Sequence, residues 1–313
     1  KEYRRQRQMC IRDRSGGEVS GPRLIGVDWG TSNLRVMRIA EGGAVLDSRS
    51  DPRGAGGLSR DQFRPVLEEV AGDWLSNGLP VIVGGMAGAR GRWREMAYAP
   101  CPAGIQELAR AVERPDDAAF VALIPGVAAY RDGRLHDVMR GEETQVMGLD
   151  APSDAVVVAP GTHSKWIETQ AGRIVGFRTF MTGELFGAIR KGTILGADMG
   201  EPGVDDDAFA AGVGRAFADP AITAVLFSVR IDGLAGRLTA GAAADYLSGL
   251  LIGAEVAAQS AMNDRPVVLI GAEALCHRYA AALAMGGFQD VRTADGAAAT
   301  ARGLWRIHEA ASR

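Results

Sequence analysis

Residues 24–36, which read LIGVDWGTSNLRV, constrain the fold of this chain more than any other segment. The apolar residues at its start predict a buried strand that ends at Asp28. The small polar residues 30–33 predict a tight turn before a second strand begins at Leu34. A carboxylate delivered to such a turn can hold a hydrated Mg²⁺ while backbone N–H groups cradle phosphate oxygens. The alternative is an ordinary β-hairpin whose turn uses glycine and asparagine for backbone reasons.

The same pattern recurs in the second half of the chain, at residues 156–166, which read VVVAPGTHSKW. An apolar strand is again followed by a turn, here around Gly161 and Thr162, and then by a second strand. Two such turns facing each other across a cleft would hold a polyphosphate from both sides. His163 and Lys165, just past this turn, are further candidate phosphate contacts. For this segment taken alone, a plain hairpin remains the alternative.

A third segment, residues 267–275, reads VVLIGAEAL and predicts a strand that breaks at Gly271 into a helix. A position without a side chain lets an adenine or a ribose lie against the backbone. Gly271 and the following Ala272 are therefore candidate nucleotide contacts, with a generic strand–helix corner as the alternative.

The rest of the chain alternates between strand and helix patterns, which predicts an α/β fold with two lobes, residues 24–150 and 151–313. Predicted strands cover residues 24–28, 34–40, 43–49, 80–84, 120–124, 156–159, 164–169, 173–181 and 266–270, with a short one near Val291. Predicted helices cover residues 58–77, 141–149, 182–191, 205–218, 241–262, 273–286 and 296–311. On one of these helices Gly249, Gly253 and Ala257 recur every four residues, as expected at an interdomain hinge or in a tightly packed core.

In this order the three segments resemble the phosphate-1, phosphate-2 and adenosine motifs of the actin/hexokinase/sugar-kinase superfamily. Within that superfamily the chain is most similar to the 2-dehydro-3-deoxygalactonokinases. The matching blocks are residues 28–35, 139–145, 160–166, 177–185 and 248–256, which read DWGTSNLR, MRGEETQ, PGTHSKW, FRTFMTGEL and SGLLIGAEV. The resemblance implies a two-lobed, actin-like (ribonuclease H-like) α/β fold with nucleotide and substrate in the cleft between the lobes.

The resemblance also implies a kinase that uses ATP and Mg²⁺ to phosphorylate the 6-hydroxyl of 2-dehydro-3-deoxy-D-galactonate in galactonate catabolism. Such a reaction needs in-line positioning, charge neutralisation and a base for the hydroxyl proton. The implied nucleotide contacts are Asp28, as the Mg²⁺ anchor, with Gly30, Thr31, Ser32, Asn33, Gly161, Thr162, Gly271 and Ala272. The implied sugar-acid contacts are Arg140, Arg178, Gly85, Met86 and Trp93. The loop 86–98 also carries Arg90, Arg92 and Arg94, for which a plain surface position is the default.

The catalytic base is expected just before the second phosphate turn, where the superfamily's sugar kinases carry a carboxylate. Glu142 and Glu143 stand there at the start of a predicted helix. Neighbouring side chains on a helix point about 100° apart, so only one of them can face the cleft squarely. We predict Glu142 as the base and Glu143 as a reserve or a metal-side group. The alternative is that both only satisfy the charge preference of a helix N-terminus.

Other functions stay open on the sequence alone. A phosphohydrolase resembling the exopolyphosphatases would also carry a glutamate pair before a glycine-rich phosphate turn. A kinase for a related sugar acid would differ only in its substrate pocket. A non-catalytic ATP-dependent clamp would keep the phosphate turns and need no sugar site.

Residues 1–23 fit none of these patterns, because they are rich in arginine and lack apolar periodicity. We expect a non-native or disordered extension, since the back-translation of residues 9–14 resembles the end of a sequencing adaptor. A basic nucleic-acid-binding arm is the alternative. Removing the seven basic and three acidic residues of this segment leaves 28 basic and 35 acidic residues, so the formal net charge changes from −3 to −7.

An acidic body of this kind argues against nucleic acid or an anionic membrane as the main partner. No apolar run approaches the roughly 20 residues that span a bilayer. The three cysteines are scattered, which indicates neither a disulfide framework nor a cysteine zinc site. We therefore expect a cytoplasmic enzyme whose partners are ATP and a sugar acid, while homo-oligomer formation stays open.

Overall fold

The computed structural model describes residues 21–150, 154–197, 199–201 and 203–313. Nearly all of the predicted N-terminal extension, residues 1–20, lies outside the described residues. In the part of the chain that is described, no helix is both long enough and apolar enough to cross a membrane.

Strands and helices alternate along the chain, as the sequence predicts. The strands are β1 (Leu24–Trp29), β2 (Leu34–Ile39), β3 (Val45–Asp51), β4 (Val81–Gly85), β5 (Ala99–Pro100), β6 (Val121–Leu123), β7 (Val127–Arg131), β8 (Arg134–Met139), β9 (Ala155–Ala159), β10 (Ser164–Gln170), β11 (Arg173–Phe180), β12 (Val267–Ile270) and β13 (Val291–Ala294). The helices are α1 (Phe63–Ala71), α2 (Ile105–Arg110), α3 (Glu142–Met147), α4 (Thr182–Gly192), α5 (Asp206–Ala218), α6 (Ile222–Val225), α7 (Ser228–Leu234), α8 (Ala240–Ala257), α9 (Glu273–Met285) and α10 (Gly296–Ala311).

Two five-stranded sheets share one topology, with strand orders β3-β2-β1-β4-β6 and β11-β10-β9-β12-β13. In each sheet three antiparallel strands follow one another in sequence. A fourth strand pairs parallel to the first of them, and a fifth pairs parallel to the fourth. The predicted recurrence of the strand–turn–strand pattern is confirmed, because β1–β2 and β9–β10 occupy equivalent places. The ends of β1 and β9 therefore deliver their turns to equivalent edges of the two sheets.

A third, small sheet of order β5-β7-β8 was not predicted. Its strands β7 and β8 contact β11 of the second lobe, and β8 leads directly into α3 and the predicted base. The predicted helix over residues 58–77 is also shorter than expected. Gly72, with φ of +55°, ends α1 at Ala71, and a 3₁₀ helix (Gly72–Asn77) follows.

One apolar core joins the two lobes. Ile82 and Met139 of the first lobe share a buried cluster with Val157 and Ile167 of the second. Leu304 of α10 belongs to the same cluster. Helix α10 packs against α2, α3 and β1 of the first lobe, although its residues 296–311 fall within the predicted second lobe.

The glycine stripe on α8 serves packing inside the second lobe. A Cβ on Gly249 would lie 2.1 Å from the carbonyl oxygen of Phe209, and one on Gly253 would lie 2.9 Å from the Cα of Val213. Both contacts belong to α5, so of the two interpretations of this stripe the structure favours the tightly packed core.

Candidate active site

The predicted first phosphate turn, residues 30–33, is a short hydrogen-bonded connection between β1 and β2. The N–H of Gly30 donates to the carbonyl of Asn33 at 2.9 Å and closes the turn. The loop after β3 braces it from outside, since the N–H groups of Ala55 and Gly56 donate to the carbonyls of Gly30 and Thr31. Because this loop is distant in sequence, the brace was not predicted.

Asp28 stands at the end of β1, directly opposite Arg35 on β2. Burial raises the pKa of the Asp28 carboxyl, and the positive charge of Arg35 partly opposes that shift. Asp28 lines a cavity of about 700 Å³ together with residues 30–35. Thr162 of the second phosphate turn lines the same cavity, so the two predicted turns do face one another across a cleft.

The second phosphate turn is held by the start of helix α4. The N–H of Glu184 donates to the carbonyl of Thr162 at 2.9 Å, and Gly183 touches the turn so closely that a Cβ would lie 2.3 Å from the oxygen of Gly161. His163, at the end of the turn, contacts Glu184 at 2.5 Å. A glycine at position 183 is therefore required for this approach.

A second cavity, of about 300 Å³, begins at Gly161 on the other side of the same turn. Helices α4, α8 and α9 supply mostly apolar walls, and this set was not predicted as a site. Its lining includes Thr182, Phe186, Ser248, Leu251, Ile252, Ala274, Leu275, Arg278 and Tyr279. Gly271 and Ala272 lead into α9 beside this cavity, and a Cβ on Gly271 would lie 3.3 Å from the carbonyl oxygen of Pro160.

A buried glutamate ties the walls of this second cavity together. Glu255 of α8 is 2% exposed and accepts hydrogen bonds from Trp166 Nε1 at 2.7 Å, from the hydroxyl of Thr182 and from the hydroxyl of Tyr279 at 2.8 Å. Burial raises the pKa of Glu255, while these donors act against the shift. Strand β10 and helices α4, α8 and α9 are thereby fixed relative to one another.

Glu142 and Glu143 differ sharply in their surroundings. Glu143 is completely buried and accepts hydrogen bonds from the N–H of Gly141 at 2.6 Å and the hydroxyl of Thr144 at 3.0 Å. Burial, reinforced by the charge of Glu142, raises the pKa of Glu143 to about 7. By contrast, Oε2 of Glu142 is buried without a hydrogen-bond partner among the described residues. Burial also raises the pKa of Glu142, and the ammonium group of Lys165 is the main influence against that shift.

Arg140 lies two residues before Glu142 and is similarly unsatisfied. Its Nη2 donates to the carbonyl of Met96 at 3.2 Å, and its guanidinium lies 4.5 Å from the ring centroid of Tyr98. Its Nε and Nη1 atoms are buried and have no partner within the described part of the chain. Because buried polar atoms are rarely left unpaired, these two nitrogens indicate a place for an anionic group.

Two predicted sugar-acid contacts lie elsewhere. Trp93 is 2% exposed, packs against Trp29 and Phe63, and donates from Nε1 to Asp117 at 3.0 Å, so it is a core residue of the first lobe. Arg178 on β11 lies directly opposite Trp166 on β10, so the two side chains leave the sheet on the same face. On that face Arg178 donates to Gln259, just after the end of α8, and it therefore points away from the lobe interface.

The loop residues Gly85 and Met86 lie beside Arg140 and Glu142 without presenting side-chain donors. A Cβ on Gly141 would lie 3.6 Å from the Cα of Gly85, whereas Met86 packs partly against the core of the first lobe. Arg94 of the same loop forms ion pairs with Glu113 and Asp116, which supports its surface interpretation.

Comparison with known proteins assigns this arrangement to a family. The profile of the 2-keto-3-deoxy-galactonokinase family matches residues 28–307. A Rhizobium meliloti protein provisionally named 2-dehydro-3-deoxygalactonokinase is 41% identical, over 90% of this chain and 97% of its own. The Escherichia coli 2-dehydro-3-deoxygalactonokinase is 36% identical, over 82% of this chain and 88% of its own. The chain belongs to this family. The comparisons give no support to the phosphohydrolase alternative.

Solved structures agree with the family in fold. A Sinorhizobium meliloti protein that is provisionally assigned the same activity superposes with a TM-score of 0.82 at 36% identity, over 92% of this chain and 98% of that one. The activator of the 2-hydroxyisocaproyl-CoA dehydratase of Clostridium difficile superposes with a TM-score of 0.50 at 15% identity, over 92% of this chain and 96% of that one, which concerns the fold alone. The predicted two-lobed, actin-like α/β fold is confirmed.

Proposed function

We propose that this enzyme transfers the γ-phosphoryl group of ATP to the 6-hydroxyl of 2-dehydro-3-deoxy-D-galactonate. Family membership supports the reaction, and one structural observation supports the site: two cavities adjoin at the second phosphate turn, with Gly161 lining one and Thr162 the other. A nucleotide that crosses this turn would hold its adenosine in the apolar cavity and its phosphates between the two turns. We assign the phosphate contacts to residues 30–33, Gly161 and Thr162.

Asp28 fits the role of a Mg²⁺ anchor. Mg²⁺ is commonly held by one or two carboxylates, by substrate phosphates and by water, so a single acid at the phosphate cavity suffices. The other acid lining that cavity, Asp51, is engaged by Arg53 through two hydrogen bonds of 2.7 and 2.8 Å. Asp28 has no such ion pair among the described residues and stays available. A bound Mg²⁺ would neutralise the phosphate charge.

Glu142 is the base in this proposal. Its Oε2 lacks a partner among the described residues and can accept the proton that the 6-hydroxyl loses when its oxygen attacks phosphorus. Glu143 is unsuited to that role, because both of its oxygens already accept hydrogen bonds and its side chain is completely buried. We assign to Glu143 the positioning of Gly141 and Thr144 at the start of α3.

Arg140 binds the carboxylate of the sugar acid in this proposal. The unpaired Nε and Nη1 atoms of its guanidinium can each donate to an oxygen of the sugar acid, and the positive charge strengthens both hydrogen bonds. The substrate would then extend from Arg140 toward Glu142, with its carboxylate at one end and its reacting hydroxyl at the other. We also place the reaction in the cytoplasm, because ATP is the phosphate donor.

The test is a coupled assay for ADP with MgATP and the purified protein. We expect ADP formation only when 2-dehydro-3-deoxy-D-galactonate is added, and slower formation with its gluconate epimer. Faster turnover of the epimer would reassign the substrate to a related sugar acid. Phosphate release without any acceptor would indicate a hydrolase, and ATP binding without turnover would indicate a clamp.

A further inference from the structure

A carboxylate at the base of the β7–β8 hairpin joins the first lobe to the second. Residues 131–136 of this hairpin are exposed, and Asp137 is the first residue of β8 that is partly buried. Its Oδ2 accepts a hydrogen bond from the N–H of Thr179 at 2.7 Å, and its Oδ1 accepts one from the hydroxyl of Thr179, also at 2.7 Å. Because Thr179 lies on β11, both bonds cross from the first lobe to the second.

These two bonds belong to a closed ring of hydrogen bonds among four residues. The N–H of Val138 donates to Oδ1 of Asp137 at 2.8 Å. Lys165 of β10, which is 6% exposed, donates from Nζ to the carbonyl of Val138 at 3.2 Å and to the hydroxyl of Thr179 at 2.7 Å. The hydroxyl of Thr179 thus accepts from the ammonium group and donates to the carboxylate, and each charge strengthens its hydrogen bond.

The ring lies close in sequence to one group of each substrate site. Arg140 stands three residues after Asp137, just past the end of β8, and its buried Nε and Nη1 atoms have no partner in the described part of the chain. Thr162, which lines the phosphate cavity, stands three residues before Lys165. Short stretches of backbone therefore connect the ring to the guanidinium of the first lobe and to the phosphate turn of the second.

We propose that Asp137 is a positioning residue that sets the place of Arg140 relative to the second phosphate turn. It acts through Thr179 and Lys165, so Lys165, for which the sequence suggests a phosphate contact, belongs to the ring instead. This inference rests on the proposed function, in which Arg140 binds the sugar acid and the turn binds the phosphates of ATP. The ring then sets the distance between the attacking hydroxyl and the γ-phosphoryl group, on which the rate depends steeply.

Each substrate site keeps its own supports when the ring is broken. Arg140 donates to the carbonyl of Met96 in its own lobe. The N–H of Glu184 holds the carbonyl of Thr162 within the second lobe. Neither contact involves a member of the ring. Loss of the ring should therefore lower turnover while each substrate still binds by itself.

The experiment compares kcat of Asp137→Asn with the dissociation constants of MgATP and of the sugar acid, each measured alone by isothermal titration. Asp137→Asn keeps the shape of the side chain but removes its charge and one acceptor. We expect kcat to fall by about 10–100-fold, as for a misplacement of about 1 Å, while both dissociation constants stay close to the wild-type values. Asp154→Asn is the matched control and should keep kcat, because Asp154 accepts the N–H of Ala171 within the second lobe.

A second pair of variants tests the hydroxyl that links the two charges. Thr179→Val keeps the shape of the residue and removes the hydroxyl, whereas Thr179→Ser keeps the hydroxyl. We expect kcat to fall in Thr179→Val about as far as in Asp137→Asn, and to stay near wild type in Thr179→Ser. Combining Asp137→Asn with Thr179→Val should cost much less than the product of the two single effects, because both break the same ring.

The outcomes separate this inference from the proposed function. A wild type without sugar-acid-dependent ADP formation would refute the proposed function itself. An active wild type with an unchanged kcat in Asp137→Asn would refute the inference alone. A loss of substrate binding that matches the loss of kcat would also overturn it, since Asp137 would then only support the fold. If Asp137→Asn does not fold, the Thr179 variants decide, and if Thr179→Val does not fold either, the ring is structural and the inference is wrong.

Discussion

Glu143 offers a quantitative test of how the start of α3 is built. The side chain is completely buried, and burial together with the charge of Glu142 raises its pKa from 4.5 to about 7. In the unfolded chain the same carboxyl loses its proton near its ordinary pKa. Between these two values the folded protein holds a proton that the unfolded chain has released, so folding becomes less favourable as the pH rises.

The size of this effect follows from the pKa difference. Each pKa unit corresponds to about 1.36 kcal/mol of stability. The contribution of Glu143 is fully present below pH 4.5 and is lost once the pH has passed 7. Its size is therefore about 3 kcal/mol. A chain of this length has an unfolding entropy of about 0.6 kcal/mol per degree, which converts the loss into about 5 °C in Tm. Glu143→Gln removes the titrating group and with it this contribution.

The assay is thermal unfolding of the wild type and Glu143→Gln at pH 5 and pH 8. We expect Tm to fall between these pH values in the wild type, and to fall by about 4 °C less in the variant, because at pH 5 a small part of the contribution is already lost. Glu273→Gln is the control, because Glu273 also stands in the first turn of a helix but is exposed. If Glu143→Gln keeps the full wild-type pH dependence, Glu143 is ionised in the folded protein and this account of α3 is wrong.

Three further predictions concern the reaction. Glu142→Gln should lower kcat by about 10²–10⁴-fold while isothermal titration still shows ATP binding, and near-wild-type turnover would move the base elsewhere. Arg140→Met should lower kcat/KM for the sugar acid by about 10–100-fold, because two charge-assisted hydrogen bonds are lost. An unchanged value in steady-state kinetics would exclude Arg140 from the substrate site. Gly183→Ala should raise KM for ATP by about tenfold or more, since its Cβ would displace the Gly161 carbonyl, whereas Gly187→Ala on the same helix meets open space. Equal KM values for the two variants would contradict the steric argument.

Local signals explain what the sequence could predict. The two phosphate turns each depend on a few adjacent residues, and so their strands and their equivalence were predictable from residues 24–36 and 156–166. The hairpin of β7 and β8 carried an equally local signal, the pair Asp132 and Gly133. Both adopt positive φ angles and suit a two-residue turn, so this hairpin could have been found.

The apolar cavity could not be predicted in the same way. Its walls come from three helices that are far apart in sequence, and each contributing face is ordinary when read alone. The prediction of Trp93 as a sugar-acid contact failed for a related reason, since a tryptophan in a loop can equally line a cleft or fill a core. The neighbours that decide it, Trp29 and Phe63, are 30 or more residues away in sequence.

The two lobes share a topology but differ at the residue that precedes each turn, and the proposed function depends on this difference. Asp28 gives the first lobe a carboxylate beside the phosphate cavity, where a cation is needed. Ala159 stands at the equivalent place in the second lobe, so the cation Lys165 has no acid directly opposite it in its own sheet. A second acid at position 159 would pair with Lys165 and place another negative charge beside the phosphate groups of ATP. Ala159→Asp should therefore be more damaging than its small change in volume suggests.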